Sequence, residues 1–162
     1  MTSSSYLRNF IFGVEDSLVS TVGLVSGVAV AGVPKDTIIL TGVILVFVEA
    51  FSMAVGSILS DNSVREFKTN HEVPLDKSYA GGLVMFVSYF ITGFIPLAPY
   101  LLADREHALG YSIGASLLAL FVLGATAARL SRINMLRNGF EMLFIGGLAI
   151  AIGVIVGSVV GV

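Results

Sequence analysis

The sequence contains no cysteine among its 162 residues. Disulfide bonds and thiolate metal sites are therefore excluded, and methionine is the softest metal ligand that the chain can offer. Charged residues are also scarce, at 12% of the chain against 56% hydrophobic residues, and the mean hydropathy is +0.93. Soluble domains are typically about 25% charged, so this composition predicts an integral membrane protein. The net charge of −2 indicates no particular class of partner.

Long uncharged runs predict the number of membrane spans. Four runs each reach about 18 residues, the length that crosses a bilayer, and a fifth is interrupted only by Glu49. We predict an all-α integral membrane protein in which residues 1–162 form a single transmembrane domain. Its five helices are expected at about 9–33, 37–60, 79–102, 109–128 and 140–162.

Breakers and polar stretches predict where these helices end. Pro34 follows Gly32 and closes the first helix, and two prolines, Pro96 and Pro99, predict a kink or early unwinding near the end of the third. The polar stretch from Asp61 to Lys77 is too short for a separate domain and is predicted to be a solvated connector.

The positive residues predict the orientation. A cytoplasmic N-terminus places seven of the nine Lys and Arg residues inside and only Lys35 and Arg105 outside, so the C-terminus is expected outside. The inside set is Arg8, Arg65, Lys68, Lys77, Arg129, Arg132 and Arg137. No cleavable signal peptide is evident, and we expect the first helix to stay in the mature protein.

The first helix combines two acids, Glu15 and Asp16, with a small-residue face. An ionised Asp at bilayer depth costs about 2.5–3.5 kcal/mol, so such residues usually face a bundle interior, a water path or a cation. Gly23 and Gly27 form a GxxxG pair that allows close helix approach. We therefore expect this helix to be central, and we predict a homodimer with its contact at Gly23 and Gly27.

The second helix carries a carboxylate near the bilayer midplane. Glu49, Met53 and Ser57 recur at four-residue spacing and share one face. Asp16 is expected at about the depth of Met53, so a carboxylate and a thioether could meet. Oxygen with thioether suits a borderline ion such as Fe²⁺ better than Mg²⁺ or Ca²⁺. The alternatives are that Met53 fills the core, that a protonated Glu49 bonds between helices, and that Glu15 and Asp16 face water.

Three stretches resemble motifs of the vacuolar iron transporter family. DSLVSTVGLVSGVA is similar to the first-helix pattern DGLVSxxGLVxGVA, FSMAVGSILS to SMAxGEYxS, and LRNGFEMLFIGGLA to LRxGxEMLxIGxLA. The resemblance implies transport of Fe²⁺, and often Mn²⁺, out of the cytosol against protons. It also implies a homodimer with the ion path between subunits, lined by helices 1 and 2. Asp16, Glu49 and Met53 then fall on pathway positions, with Glu15, Ser20 and Ser57 as further lining.

Two departures from the family pattern stand out. The long acidic metal-binding domain that iron-storing members carry between helices 2 and 3 is replaced by Asp61 to Lys77. The acid of the family's GEY triplet is Ser57 here, so Glu49 is expected to carry the membrane carboxylate instead.

Beside a proton-coupled metal exporter, two other hypotheses stay open. One is a non-transporting membrane assembly module, in which the small-residue stripes serve association alone, and the other is a carrier of a non-metal solute. We expect no enzymatic activity, no permanently bound cofactor and no nucleic-acid partner. The expected partners are the metal ion, protons, lipid and a second copy of the chain, in the plasma membrane if the source is prokaryotic.

Overall fold

The computed structural model describes residues 3–161, with all of their side chains except those of residues 3, 77, 105 and 106. Within this range the architecture is all-α, and five helices are long and apolar enough to cross a membrane, as predicted. They are α1 (Ser3–Val30), α2 (Lys35–Thr69), α3 (Tyr79–Leu102), α4 (Arg105–Ser131) and α5 (Met135–Val160), with a short 3-10 helix at Leu75–Lys77. Val162 and the side chains of Lys77 and Arg105, which entered the predictions, lie outside the described residues.

Helix α2 is longer than the sequence indicated. It continues past Ser60 to Thr69, so most of the predicted connector is helical. The extension is stabilised by pairs one turn apart: Arg65 Nε donates to Asp61 Oδ2 at 2.9 Å, and Asn62 Nδ2 donates to Glu66 Oε1 at 2.9 Å. The helix ends where Asn70 adopts a left-handed conformation at φ 52°. The prediction of an end at Ser60 was therefore wrong by more than two turns.

The link between α4 and α5 is shorter than predicted, because both helices extend into it. Arg132 ends α4 at φ 56°, and the Asn134 side chain caps α5 by accepting from the Arg137 backbone N–H at 3.1 Å. Helix α3 continues through Pro96 and Pro99 to Leu102, so the early unwinding predicted there is not observed.

Helix α1 ends earlier than predicted, at Val30 rather than Val33, because Gly32 takes a left-handed φ of 81°. Lys35 then ties the start of α2 to the end of α3, since its Nζ donates to the Ala103 carbonyl at 2.8 Å. This short hairpin makes α1 and α2 antiparallel.

Helix α1 lies at the centre of the bundle, as expected from its small residues and acids. It packs against all four other long helices, whereas α2 packs mainly on α3, and α5 on α1 and α4. One hydrophobic core joins α1, α2, α3 and α4 around Val25, Val46 and Leu97, and a second joins α1 and α4 around Leu18 and Leu120.

The glycine pair of α1 packs inside the chain. A Cβ on Gly27 would lie 2.5 Å from the Gly153 carbonyl oxygen, and one on Gly157 would collide with the Gly27 carbonyl. Gly23 meets Ala149 and Gly153 in the same way, so α1 and α5 run parallel in backbone contact. Gly23 and Gly27, predicted as a dimer contact, are therefore covered by α5 of the same chain.

Candidate functional site

A groove of about 800 Å³ opens at the end of the bundle where α1 begins and the membrane part of α2 ends. Its walls come from the first turns of α1, the second half of α2 and one residue of α3. Carboxylate, hydroxyl, amide and thioether groups all contribute to the lining, which is formed by Arg8, Asn9, Ile11, Phe12, Glu15, Ser52, Met53, Gly56, Ser57, Ser60 and Met85. We call this the entry groove.

Asn9 fixes the geometry of the groove. Its side chain is 2% exposed, and its Nδ2 donates to Ser57 Oγ of α2 at 2.9 Å and to the Gly81 carbonyl of α3 at 3.1 Å. One amide group therefore joins three helices, and it uses the Ser57 hydroxyl as an acceptor. Ser57, predicted as pathway lining, lines the groove and also holds this joint.

The acids of α1 divide between two places. Glu15 lines the entry groove together with Met53, whereas Asp16 is partly buried and is close enough to Glu49 of α2 for their charges to interact. A helix turns about 100° per residue, so adjacent acids must face different surroundings. We had expected Asp16 to meet Met53, but in the groove it is Glu15 that accompanies the thioether.

Tyr89 of α3 completes a polar group beyond the groove. Its hydroxyl lies 2.7 Å from Ser20 Oγ, and the charges of Asp16 and Glu49 both act on it. We call these four residues, Asp16, Ser20, Glu49 and Tyr89, the inner cluster. The structure thus brings the predicted residues Asp16, Ser20 and Glu49 together around a phenol.

Sequence reasoning missed Tyr89, Asn9 and Met85. The available signal was the pattern of α3, where Met85 and Tyr89 are one turn apart on a face with small residues, which is the face expected to pack on α1. The sequence places Asn9 at the start of the predicted first helix, and a polar amide at that position is a candidate for a joint between helices.

No group of three His, Cys, Asp or Glu side chains able to hold a metal ion is found among the described residues. A metal at this site would therefore need ligands beyond these residue types, such as Met53 and hydroxyls, or ligands from a second copy of the chain.

The outward face of α2 is left uncovered by the rest of the chain. Ser52 and Gly56 are exposed beside the partly buried Glu49 and Met53, and Phe51 next to them is 66% exposed. Polar groups facing hydrocarbon are costly at this depth, and a carboxylate is the most costly of them. This face, defined by Glu49, Ser52, Met53 and Gly56, is the open face of α2.

The chain is similar to a known protein family and to several named proteins. A model of the VIT family matches residues 7–73 and 65–158. Vacuolar iron transporter 1 of Tulipa gesneriana is 24% identical over 93% of this chain and 85% of its own length. Vacuolar iron transporter homolog 3 of Arabidopsis thaliana is 28% identical over 92% of this chain and 80% of its length. Vacuolar iron transporter cccA of Arthroderma benhamiae is 33% identical, but over only 45% of this chain and 29% of its own.

The matches also show a length difference. The alignment with the tulip protein has 210 positions, which is more than the 162 residues of this chain, so that relative carries residues that are absent here. The two segments matched by the family model meet at residues 65–73, which span the end of α2 and the loop after it. This is where the sequence predicted that a metal-binding domain is missing.

Proposed function

The chain belongs to the VIT family, and we propose from this premise that it carries a divalent transition metal, Fe²⁺ and also Mn²⁺, out of the cytosol in exchange for protons. Five apolar helices and relatives named vacuolar iron transporters make it a multi-pass integral membrane protein of a transporter family. The observation that carries the proposal is the pair Asp16 and Glu49, held next to a polar groove that opens at one end of the bundle.

The proposed path begins in the entry groove. Glu15 offers a carboxylate and Met53 a thioether, a donor set that suits Fe²⁺ and accepts Mn²⁺ mainly through oxygen. Four residues before Met53, about 6 Å further along α2, Glu49 and Asp16 take the ion over. Because Ser57 replaces the acid of the family motif and is bonded to Asn9, we assign the membrane carboxylate to Glu49.

Proton exchange follows from the chemistry of the inner cluster. A carboxylate must lose its proton to bind a metal, so metal binding releases protons and proton binding releases the metal. Asp16 and Glu49 interact with each other, so a cation between them would relieve the repulsion of their charges. The ion and the protons thus alternate at one pair of side chains.

We assign the end of the bundle at which the entry groove opens to the cytosol. The Lys and Arg residues at this end include Arg8, Arg65 and Arg137, and the positive-inside rule places them in the cytoplasm. Helices α1 and α5 are parallel, so the two termini should label from opposite sides when cysteines replace Ser4 and Val160, which is 75% exposed at the end of α5. Labelling of both from one side would contradict this orientation.

A homodimer completes the site in this proposal. Twofold symmetry brings the same surface of two subunits together, and the open face of α2 is the polar surface that one subunit leaves uncovered. Two copies of Glu49 and Met53 would then border one path, which supplies the ligands that one chain lacks. The dimer contact is thereby moved from Gly23 and Gly27 to Ser52 and Gly56.

The test is transport by purified protein in liposomes, with an Fe²⁺ indicator and a pH indicator recorded together. We expect Fe²⁺ to cross and protons to move the opposite way, with Mn²⁺ competing. Metal flux without proton movement would contradict the antiport while leaving metal transport in place. Absence of any metal flux would favour the hypothesis of a non-transporting assembly module. Proton movement driven by a non-metal solute would favour the hypothesis of a carrier for such a solute.

A further inference from the structure

The entry groove contains a second methionine, Met85 of α3, that the proposed path does not use. Its side chain is 3% exposed in the single chain, and it lines the same groove as Met53 and Glu15. Its sulfur lies over the backbone of α1, where a Cβ on Gly13 would come within 3.2 Å of Met85 Sδ. Glycine at position 13 therefore leaves room for Ser88 Oγ, the atom nearest to such a Cβ, and for the carbonyl and thioether of Met85.

The two methionines stand in the same relation to the inner cluster. Met53 follows Glu49 by four residues on α2, and Met85 precedes Tyr89 by four residues on α3. Gly82 of α3 contacts Ile58 of α2, and Gly93 contacts Val46, so the two helices run antiparallel. Moving from Met53 to Glu49 along α2, or from Met85 to Tyr89 along α3, therefore leads from the groove into the bundle. Each step covers about 6 Å. The two thioethers thus lie at one depth in the bundle. The oxygens of Glu49, Tyr89 and Asp16 lie at the next depth, further from the opening of the groove.

We propose that Met53 and Met85 form a two-thioether layer that selects soft and borderline cations before they reach the carboxylates. Thioethers bind Cu(I) and similar soft ions, tolerate Fe²⁺, and have little affinity for Mn²⁺ or Mg²⁺. Carboxylates alone would admit all divalent ions, so the discrimination comes from the sulfur layer. This inference rests on the proposed metal transport and assigns its selectivity to a residue of α3.

Methionine is also a common filler of irregular gaps, and a filler would tolerate replacement by leucine without a change in metal preference. The chain allows this difference to be measured cleanly. It has no cysteine, five methionines and two histidines, so Ag⁺, a redox-inert soft ion, meets few other strong ligands. His71 and His107 are exposed in loops or at a helix start, away from the groove lining.

The experiment measures Ag⁺ affinity of the purified full-length protein by calorimetry, and Fe²⁺ and Mn²⁺ flux in liposomes. Met85→Leu and Met53→Leu should each weaken Ag⁺ binding at least about tenfold and lower the ratio of Fe²⁺ to Mn²⁺ flux. The double variant should bind Ag⁺ little worse than either single variant, because both sulfurs hold one ion. Met142→Leu is the matched control, since Met142 packs against Gly124 of α4 and outside the groove.

Unchanged Ag⁺ affinity in a folded Met85→Leu variant would refute the two-thioether layer. It would not affect the proposal of metal transport. Methionine-dependent Ag⁺ binding in a wild-type protein that moves neither Fe²⁺ nor Mn²⁺ overturns the transport and leaves the soft-cation site. If Met85→Leu fails to fold, X-ray absorption of Ag⁺ bound to the wild-type protein decides. Two sulfur neighbours support the layer, and one or none refutes it.

Discussion

Two stripes of small residues behave differently in this molecule. Gly23 and Gly27 of α1 meet α5 backbone to backbone, whereas Ser52 and Gly56 of α2 are exposed, and nothing in the described part of the chain lies within 4 Å of a Cβ on Gly56. Both stripes have four-residue spacing on apolar helices. The spacing therefore indicates that a helix will pack closely, but it does not indicate whether the partner is a helix of the same chain or of another.

Polar chemistry distinguishes the two stripes. The α1–α5 contact is lined by glycine, alanine, valine and leucine, and the groove along it is almost wholly apolar. The open face of α2 carries Glu49, Met53 and the hydroxyl of Ser52, and it continues into the entry groove. We infer that the first stripe holds the subunit together and that the second serves transport, and the predictions below test this division.

The largest effect is expected from Gly27→Leu. A side chain there must push against the Gly153 backbone, which cannot yield without separating α1 from α5. Overpacking against rigid neighbours costs up to about 3 kcal/mol and occasionally more, so we expect loss of folded protein in detergent, measured by thermal unfolding and size-exclusion chromatography.

The matched variant is Gly56→Leu, because nothing lies within 4 Å of a Cβ on Gly56. Its subunit should unfold at nearly the wild-type temperature. Equal destabilisation by the two substitutions would contradict the assignment of the α1–α5 stripe to subunit stability.

The sequence predicted the part of the fold that the bilayer dictates. Uncharged runs long enough to span lipid became helices, because unpaired backbone groups are not tolerated there. Helix ends outside lipid depend on individual side-chain pairs, and Asp61 with Arg65 extends α2 where composition suggested a connector. The partner of Gly27 could not be predicted, since a second copy and α5 satisfy the same packing rule.

The site was predicted in its residue types more than in its arrangement. Asp16 and Glu49 are close enough for their charges to interact, but it is Glu15 that lines the entry groove with Met53, because one residue of register turns a side chain by about 100°. Tyr89 and Met85 were missed because an aromatic or a methionine on an apolar helix carries no signal until the packing of that helix is known.

The next largest effect is expected for transport by Glu49→Gln. The amide keeps the shape of the side chain but cannot release a proton and binds metal weakly, so Fe²⁺ flux should fall at least about 100-fold with coupled proton movement lost. The dimer and the unfolding temperature should stay near wild type. Glu141→Gln is the control, since Glu141 pairs with Arg137 on the exposed start of α5. Normal coupled flux in Glu49→Gln would show that the path does not use this carboxylate.

A moderate effect is expected on subunit association. In the cysteine-free chain, Gly56→Cys should form disulfide-linked dimers in membranes, because the open face of α2 is proposed to meet its own copy. Gly114→Cys, at another exposed position with nothing within 4 Å, should stay monomeric under the same oxidant. Crosslinking at position 114 but not at 56 would move the interface to α4.

The smallest effect is expected from Ser57→Ala, which sharpens the distinction between a residue that lines the path and one that supports it. Ser57 Oγ accepts from Asn9 Nδ2, whose other bond goes to the Gly81 carbonyl of α3. Removing the acceptor leaves one buried donor of Asn9 unpaired, which costs about 1–3 kcal/mol. Because Asp16, Glu49 and Met53 stay in place, Fe²⁺ flux per folded dimer should fall far less than it does in Glu49→Gln. Ser60→Ala, which removes a hydroxyl from the same groove without touching Asn9, is the matched control for stability and should leave the unfolding temperature unchanged. A collapse of flux in folded Ser57→Ala would instead place this hydroxyl on the metal path, at the position where the family motif has its acid.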